Sequence, residues 1–354
     1  MSLKFKSKDI AKALGLSEAT VSLVLNERPG VSDKTRKKVL AYIREKENAY
    51  FAGQYSQQGK ENGKKDKGLI LMLQYIKHGI IFDRPGTSVP DYFEKLRKML
   101  KKEGYQFLFV RFDERIHDLD EYMDEWKRQG LKGIYLMGAE MNKHDILYFS
   151  NIGVPIVVGD NNFYDMGIDS YLIDNAEGIG RCVDYLVDCG HSDIIYLAES
   201  IEIFNFVERR EGFLNEMEKR GCGDAKNRIV PLGKTFEEAR EKMLEYLERA
   251  SHRTTAYILE SSLISLGAMQ ALLESHIRIP RDISLIGFDA VPPVSLSDLE
   301  LTIVKGTHTR RHTAAIKHLL RRIEDEETEI IRVYYRTRLQ EGNSIFDKTR
   351  FIYT

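Results

Sequence analysis

The sequence predicts a three-helix, helix-turn-helix headpiece joined by a linker to an α/β core of two doubly wound parallel-sheet lobes. Three observations lead to this prediction. Two short helical patterns meet at a glycine near the N-terminus, a polar and basic segment follows, and from residue 68 short apolar runs alternate with longer amphipathic segments. At 354 residues the chain is long enough for two or three domains, each with its own core.

The stretch Ser7–Asn26 has the pattern of two helices joined by a tight turn. Gly15 stands where a helix can end in the left-handed conformation, and Ser7 and Ser17 are predicted N-caps. An ordinary helical hairpin is the alternative to a helix-turn-helix. Apolar residues recur at helical spacing on both sides of the turn: Ile10, Ala11 and Leu14 before it, and Val21, Val24 and Leu25 after it.

Charge favours the helix-turn-helix over the ordinary hairpin. A third helix is predicted after Ser32, with Val39, Leu40 and Ile43 on its packing face, which completes a headpiece of residues 1–52. Residues 53–67 have the composition of a hinge or linker. Residues 1–67 contain 15 Lys and Arg against 8 Asp and Glu, although the whole chain has a net charge of −1. A basic module on an acidic body indicates nucleic-acid binding.

Residues 68–354 form the predicted core. Runs such as GLILMLQY, QFLFVRF and DIIYLAE alternate with helical segments, as in parallel sheets built from βαβ units. Lobe 1 is expected at about 68–165 and 300–325, and lobe 2 at about 166–298 and 328–345. The last helix, about 307–324, and a single strand IIRVYYRTRL rejoin the lobes. Because ligands of open α/β sheets bind beyond the carboxyl ends of the strands, the cleft between the lobes is the expected ligand site.

The sequence offers no pattern for a metal or cofactor. His308 and His312 are four residues apart but lack a third ligand at metal-binding spacing, and no nucleophile–base motif stands out. Gly178-Ile179-Gly180 is expected to allow close helix packing rather than nucleotide binding. Cys182 and Cys189 are expected to be small buried residues.

The chain shows neither an export signal nor a membrane-spanning run of residues. We therefore expect a cytoplasmic, nucleoid-associated protein without a membrane partner.

Taken together, several motifs resemble those of the lactose-repressor (LacI/GalR) family. The resemblance covers nearly the entire chain in the expected order. It implies a homodimeric transcriptional repressor that binds double-stranded operator DNA. Its body would resemble periplasmic binding proteins and hold a small molecule, a sugar or sugar derivative, that alters operator affinity. The matching segments are DIAKALGLSEATVSLVLN, VSDKTRKKVL, IDN at 173–175, GHSDIIYL at 190–197, RREGF at 209–213 and IPRDISLIGFD at 279–289.

The resemblance implies that Glu18, Ala19 and Leu23 face DNA base edges. A Glu carboxylate can accept from cytosine, and apolar side chains can contact thymine methyl groups. Alternatively, Glu18 only favours the positive N-terminus of its helix, and the Ser and Thr residues serve as caps. Phosphate contacts are implied for Ser17, Thr20, Ser22, Asn26, Thr35 and Arg36.

The hinge departs from the family pattern, which has a Tyr-x-Pro-Asn run and a Leu that enters the minor groove. Here the counterpart is Asn48–Gln57, and an ungapped count puts Gln57 at the position of that Leu. Gly53 weakens any helix by up to about 1 kcal/mol. Either Tyr55 substitutes for the Leu, or this protein bends its operator less.

For the effector, the resemblance implies contacts from Arg209 and Asp289. A bidentate cation and a carboxylate suit polyol recognition, although a surface ion pair and a turn cap are the structural alternatives. Ser261 and Ser262 replace the usual Asn-Asp pair, so the effector is expected to differ from those of the best-known members. Further candidates are Asp160 with Asn161, and the aromatic residues Phe82, Tyr92 and Phe236, for which core packing is the alternative.

Two other functions remain open at this point. A cytoplasmic sugar-processing enzyme would use the same cleft but would leave the basic headpiece unexplained. A regulator controlled by a protein corepressor would keep the DNA-binding role without a small-molecule effector.

Overall fold

The computed structural model describes residues 7–25, 30–56, 66–79, 91–221, 224–249, 254–289, 291, 299–324 and 329–351. The chain divides into two compact units, one formed by residues 1–171 with 309–332 and the other by residues 172–308 with 333–354. Each unit is built mainly on one six-stranded sheet, although the ends of β5 and β11 of the first sheet extend past the boundary between the units.

The helices and strands follow one another largely as the sequence predicts. The helices are α1 Ser7–Leu14, α2 Glu18–Leu25, α3 Asp33–Ser56, α4 Asp91–Glu103, α5 Leu119–Arg128, α6 Lys143–Ser150, α7 Asn175–Asp188, α8 Phe204–Lys219, α9 Phe236–Arg249, α10 Ser262–Glu274 and α11 His308–Glu324. The strands are β1 Leu69–Ile76, β2 Gln106–Asp113, β3 Leu131–Met137, β4 Ile156–Gly159, β5 Asp169–Ile173, β6 Ile194–Ala198, β7 Ile229–Pro231, β8 Ala256–Leu259, β9 Ser284–Phe288, β10 Thr302–Lys305, β11 Arg332–Tyr335 and β12 Arg338–Gln340.

The N-terminal helices form the predicted headpiece with its own small core. Gly15 has a φ of 66°, as expected for the end of α1, and the amide of Thr20 donates to Ser17 Oγ at 3.0 Å, which confirms the cap of α2. Ser32 likewise caps α3 by accepting from the Thr35 amide. The core residues are Ile10, Ala11, Val21, Val24, Val39 and Ile43, with Leu14, Leu25 and Leu40 packed against them.

Helix α3 is longer than the sequence suggests. It continues through Gly53 to Ser56, into the segment expected to be a linker. A single glycine costs a helix about 1 kcal/mol, which is too little to end a helix of 24 residues. The prediction for Gln57 falls outside the described residues.

The first unit is built on a sheet with strand order β11-β5-β4-β3-β1-β2, in which β1 to β5 pair in parallel. All eight residues of β1 are buried, as expected for a central strand covered on both faces. The core beside it includes Leu71, Ile134, Phe149 and Trp126.

The second unit is built on a sheet with strand order β12-β10-β9-β8-β6-β7. Strands β6 to β10 pair in parallel and β12 joins β10 antiparallel. Since the parallel strands end at one edge, the residues that follow them lie close together there: Glu199 after β6, Glu260 after β8 and Asp289 after β9. That edge positions the candidate effector site.

The lobe boundaries differ from those the sequence suggests. Thr302–Lys305, expected in the first lobe, pairs with β9 of the second sheet, and β5, expected in the second lobe, belongs to the first sheet. The predicted single strand IIRVYYRTRL is two strands, with β11 in the first sheet and β12 in the second. This division depends on hydrogen bonds between strands that are far apart in the sequence, so it cannot be predicted from the local pattern of residues.

Close helix packing at Gly178 is confirmed, because a Cβ there would lie 2.7 Å from Phe288 Cε2. Cys182 is buried as expected, whereas Cys189 is only partly buried because it ends α7. Among the helices that the structure describes, none has the length and apolar character needed to cross a bilayer.

Candidate DNA-binding and effector sites

Helix α2 presents one face to the headpiece core and the other to solvent. Val21 and Val24 are 0% and 2% exposed, whereas Glu18 and Ala19 at the start of the helix are exposed. Leu23 is half-buried. A helix N-terminus with exposed side chains on the face opposite its core is the arrangement by which a recognition helix reads base edges.

Four of the residues predicted to contact phosphates, Ser17, Thr20, Thr35 and Arg36, lie around the N-termini of α2 and α3. The hydroxyls of Ser17 and Thr20 are 2.7 Å apart, and that of Thr35 is 2.9 Å from Ser32 Oγ, so three of these side chains already help to cap helices. Ser22 and Arg36 are half-buried, and Asn26 lies outside the described residues. Cap residues at a helix start leave amides and hydroxyls directed at an approaching anion.

In the second unit, Arg209 on α8 is the centre of the candidate effector site. Its side chain is buried, and it donates from Nε to Asn175 Oδ1 at 3.0 Å and from Nη1 to the Glu260 backbone oxygen at 2.7 Å. Nη2 contacts Asp289 Oδ2 at 3.3 Å. The guanidinium also lies over the Phe288 ring, 3.6 Å from its centroid, so its plane is fixed from several directions.

Asp289 follows β9 in a left-handed conformation with a φ of 67°. Its amide donates to the Val304 backbone oxygen, which fixes the turn. Burial by itself raises the pKa of this carboxyl, but His308, 3.8 Å from Oδ1, and Arg209 outweigh that effect and hold the pKa below its usual range. Oδ1 is buried and has no hydrogen-bond partner among the described residues. Through Oδ2, Asp289 is in direct contact with Arg209, so the structure brings together the two residues that the sequence predicted.

Two further carboxyl groups lie at the same edge of the sheet. Glu260, 0% exposed, accepts from Arg210 Nε at 2.8 Å and Nη2 at 3.0 Å, from the Tyr196 hydroxyl and from the Glu199 amide. Glu199 is 1% exposed and accepts from Ser261 Oγ. Burial and, to a smaller extent, nearby Glu260 together raise the pKa of Glu199 to about 7, against the opposing effect of the Ser261 hydrogen bond.

The predicted effector residues Ser261, Ser262 and Phe236 lie at the starts of α10 and α9, and Ser261 contacts the cluster through Glu199. Ser261 is the N-cap of α10, accepting from the Ile264 amide, so its first role is structural. Ser262 and Phe236, the first residues of α10 and α9, are half-buried. The Phe236 backbone oxygen approaches Gly267 of α10, where a Cβ would lie 3.1 Å from it.

Sequence reasoning missed four members of the cluster: Asn175, Glu199, Arg210 and Glu260. Asn175 was visible only as part of the IDN motif, and its amide nitrogen donates to Asn205 and Glu208. A usable signal existed for the two carboxyl groups, because the strand patterns IIYLAE and AYILE both end in Glu directly after a buried run. Acidic residues at the carboxyl ends of parallel strands converge at one edge.

In the first unit, an ion pair with Arg311 fixes the side chain of Asp160. Its carboxylate contacts Arg311 Nη2 at 2.8 and 2.9 Å, and Arg311 is 1% exposed and also donates to the Tyr171 backbone oxygen. Asn161 donates to the backbone oxygens of Gly138 and Met141. Both residues therefore stabilise the edge of the first sheet, and effector contact by Asp160 stays a prediction.

In the first unit, Tyr92, a candidate effector contact, packs against His312, which was considered as a metal ligand. Tyr92 stacks on His312 with ring centroids 4.6 Å apart, and the Tyr135 hydroxyl lies 2.8 Å from His312 Nδ1. Phe82 lies outside the described residues. In the described part of the chain, no group of three or more His, Cys, Asp or Glu residues is arranged to hold a metal ion.

Two models of protein families match this chain. Residues 7–48 match the model described as bacterial regulatory proteins, lacI family, and residues 183–345 match the periplasmic binding protein-like domain. The order of the two matches, with the short N-terminal one first, agrees with the headpiece and the larger units of the structure.

Curated relatives align over most of their length. The chain is 26% identical over 326 residues to the HTH-type transcriptional repressor PurR of Actinobacillus pleuropneumoniae serotype 3 (strain JL03), covering 91% of this chain and 92% of that protein. It is 27% identical over 344 residues to the probable HTH-type transcriptional repressor ExuR of Bacillus subtilis (strain 168), covering 96% and 97%.

Solved structures share the fold. A complex of the transcriptional regulator CelR with cellobiose has a TM-score of 0.66 at 21% identity and covers 96% of this chain and 100% of that one. The Lac repressor bound to ONPG in its repressed state has a TM-score of 0.61 at 20% identity and covers 95% and 98%.

Proposed function

Because the chain belongs to the LacI family of bacterial regulatory proteins, we propose that it is a repressor that binds operator DNA through α2. A small carbohydrate in contact with the Arg209–Asp289 cluster would control its operator affinity. We further propose that it acts as a homodimer in the cytoplasm, associated with the nucleoid, and that it regulates transcription rather than catalysing a reaction.

The observation that carries the DNA-binding role is the surface of the headpiece. Glu18 and Ala19 are exposed at the N-terminus of α2, while the opposite face of the helix is buried in a core formed by residues of the three headpiece helices. The charge of residues 1–67, 15 Lys and Arg against 8 Asp and Glu, favours approach to phosphate.

The effector role is supported by the polar side chains at one edge of the sheet in the second unit. Arg209, Asp289 and Asn175 form a connected set of polar groups at the carboxyl edge of a parallel sheet, where ligands of such sheets bind. The CelR structure contains cellobiose, and a CCPA structure from Weissella paramesenteroides contains glucose. Both ligands are neutral sugars, and we extend that ligand class to this chain.

The test is a selection of random duplex DNA by the full chain, with and without a sugar panel. We expect a two-fold symmetric site, because a homodimer presents two copies of α2. Glu18→Ala should lose preference at one base pair in each half-site, whereas Asp9→Ala, an exposed acidic residue on α1, should keep the wild-type profile. Failure to enrich any sequence would refute the DNA-binding role.

A further inference from the structure

Glu199 and Glu260 directly follow neighbouring strands of the second sheet, and their hydrogen bonding is unequal. Both oxygens of Glu260 receive donors, two from Arg210 and one each from Tyr196 and the Glu199 amide. In Glu199, Oε1 receives the Ser261 hydroxyl, but Oε2 is buried and has no partner among the described residues.

An unpaired buried acceptor is costly, and native structures leave few of them. The packing of the second unit gives no reason for a carboxyl group here, since Leu197 and Ala198 before it are ordinary core residues. Glu199 therefore resembles a binding group whose partner comes from outside the chain. The residue that follows it, Ser200, is exposed, so this edge is open to solvent beside the carboxyl group.

We propose that Glu199 is an effector-binding carboxyl group that accepts a hydrogen bond from a hydroxyl or ammonium group of a neutral or amino sugar. This inference rests on the proposed function, because it concerns the effector of the same site. Ser261 would orient the carboxyl group through Oε1 and leave Oε2 for the ligand.

The charges around Glu199 determine which ligands fit. Arg210 is paired with Glu260, and Arg209 contacts Asp289, so both nearby arginines already have carboxylate partners. A ligand carboxylate or phosphate at this position would face Glu199 without a cation to balance it, and like charges at short range repel strongly in a buried site. A sugar acid or a sugar phosphate is therefore excluded from this subsite.

Because Glu199 gains and loses its proton near neutral pH, we expect ligand affinity to depend on pH. The groups that face it are Glu260 after β8, Ser261 on α10, and Arg209 and Arg210 on α8. Because its pKa is about 7 in the absence of ligand, a ligand that binds the ionised form must displace a proton below that pH. Affinity should then fall about tenfold between pH 8 and pH 6.

The experiment is calorimetric titration of the full chain with D-glucose, D-galactose and D-mannose, each also as its amino sugar, uronic acid and 6-phosphate, and with cellobiose. We expect binding only among the neutral and amino sugars, and we expect the tenfold dependence on pH for the neutral sugars, which do not titrate in this range. Glu199→Gln, which has no ionised form, should bind at least about tenfold more weakly than the wild type at pH 8, and its affinity should not depend on pH. The control Glu274→Gln, which alters the exposed pair with Arg240 on the same unit, should behave as the wild type.

Three results would overturn the inference: binding restricted to the uronic acids or 6-phosphates, an unchanged pH profile in Glu199→Gln, or no binding by any sugar of the panel. The DNA selection separates this failure from failure of the proposed function. If the wild type and Glu199→Gln both enrich the same operator, the protein is a folded DNA-binding regulator and only the ligand assignment is wrong.

Discussion

Asp160 directly follows β4 with a φ of 64°, and its carboxylate contacts the buried guanidinium of Arg311. The left-handed backbone turns the side chain toward α11, and Arg311 links it to the Tyr171 backbone oxygen of β5. At the residue scale, a polar group at a strand end can thus be needed for the fold whether or not it contacts a ligand. The same holds for Ser261, which caps α10 and also donates to Glu199.

We expect Asp160→Asn to lower the free energy of unfolding by about 3 kcal/mol, because it leaves Arg311 charged and buried without its counterion. Urea denaturation of the full chain measures this change. Asp165→Asn, which alters an exposed pair with Lys143 in the same unit, is the matched control and should cause no measurable change. Equal midpoints for the two variants would contradict a structural role for the Asp160 pair.

At the scale of the element, α7 and α8 position the candidate effector cluster. Asn175 begins α7, and Arg209 and Arg210 are consecutive on α8, so one turn of α8 supplies both guanidinium groups. The two helices approach closely at small residues: a Cβ on Gly212 would lie 2.7 Å from the Ala176 backbone. The positions of the Arg209 and Asn175 side chains therefore depend on how tightly these helices pack.

The two glycines of α7 provide a matched test of how closely this helix packs against β9 and Thr337. Gly178→Ala would place a Cβ 2.7 Å from Phe288 and 2.9 Å from Thr337, and we expect it to destabilise the second unit by about 1–3 kcal/mol. Gly180→Ala meets nothing closer than 3.9 Å and should be neutral or stabilising by up to about 1 kcal/mol. Thermal unfolding of both variants measures the difference, and the reverse order of stabilities would be inconsistent with this packing.

At the scale of the whole molecule, positive and negative charges are separated along the chain. Residues 1–67 are strongly basic although the chain has a net charge of −1, so the rest of the protein is acidic. Binding to DNA should therefore depend on headpiece cations and on the release of counterions from the duplex.

Arg36→Ala should make the slope of log affinity against log salt concentration less negative by about 0.9, the amount expected for one phosphate contact. Sequence preference should remain unchanged, because a phosphate contact carries no base information. Binding measured between 50 and 200 mM salt tests this, with Lys226→Ala, an exposed cation of the second unit, as control. An Arg36→Ala slope equal to that of the wild type would remove Arg36 from the DNA interface.

The sequence by itself determined the headpiece, the alternation of strands and helices, and the pair Arg209 and Asp289. Caps, glycine turns and amphipathic periodicity act over a few residues, so Ser17, Gly15 and the faces of α1 and α2 could be predicted from local pattern. The signature motifs then placed Arg209 and Asp289, which are in contact in the structure.

Only the tertiary structure decided which sheet each late strand joins and which groups meet Glu199. The sequence IIRVYYRTRL contains no signal that divides β11 from β12, because their partners β5 and β10 are supplied by other parts of the chain. Glu199 and Glu260 are 61 residues apart, and their unequal hydrogen bonding arises from Arg210, Tyr196 and Ser261. Contacts between residues distant in sequence set the burial and charge of such a site, and periodicity along the chain does not encode them.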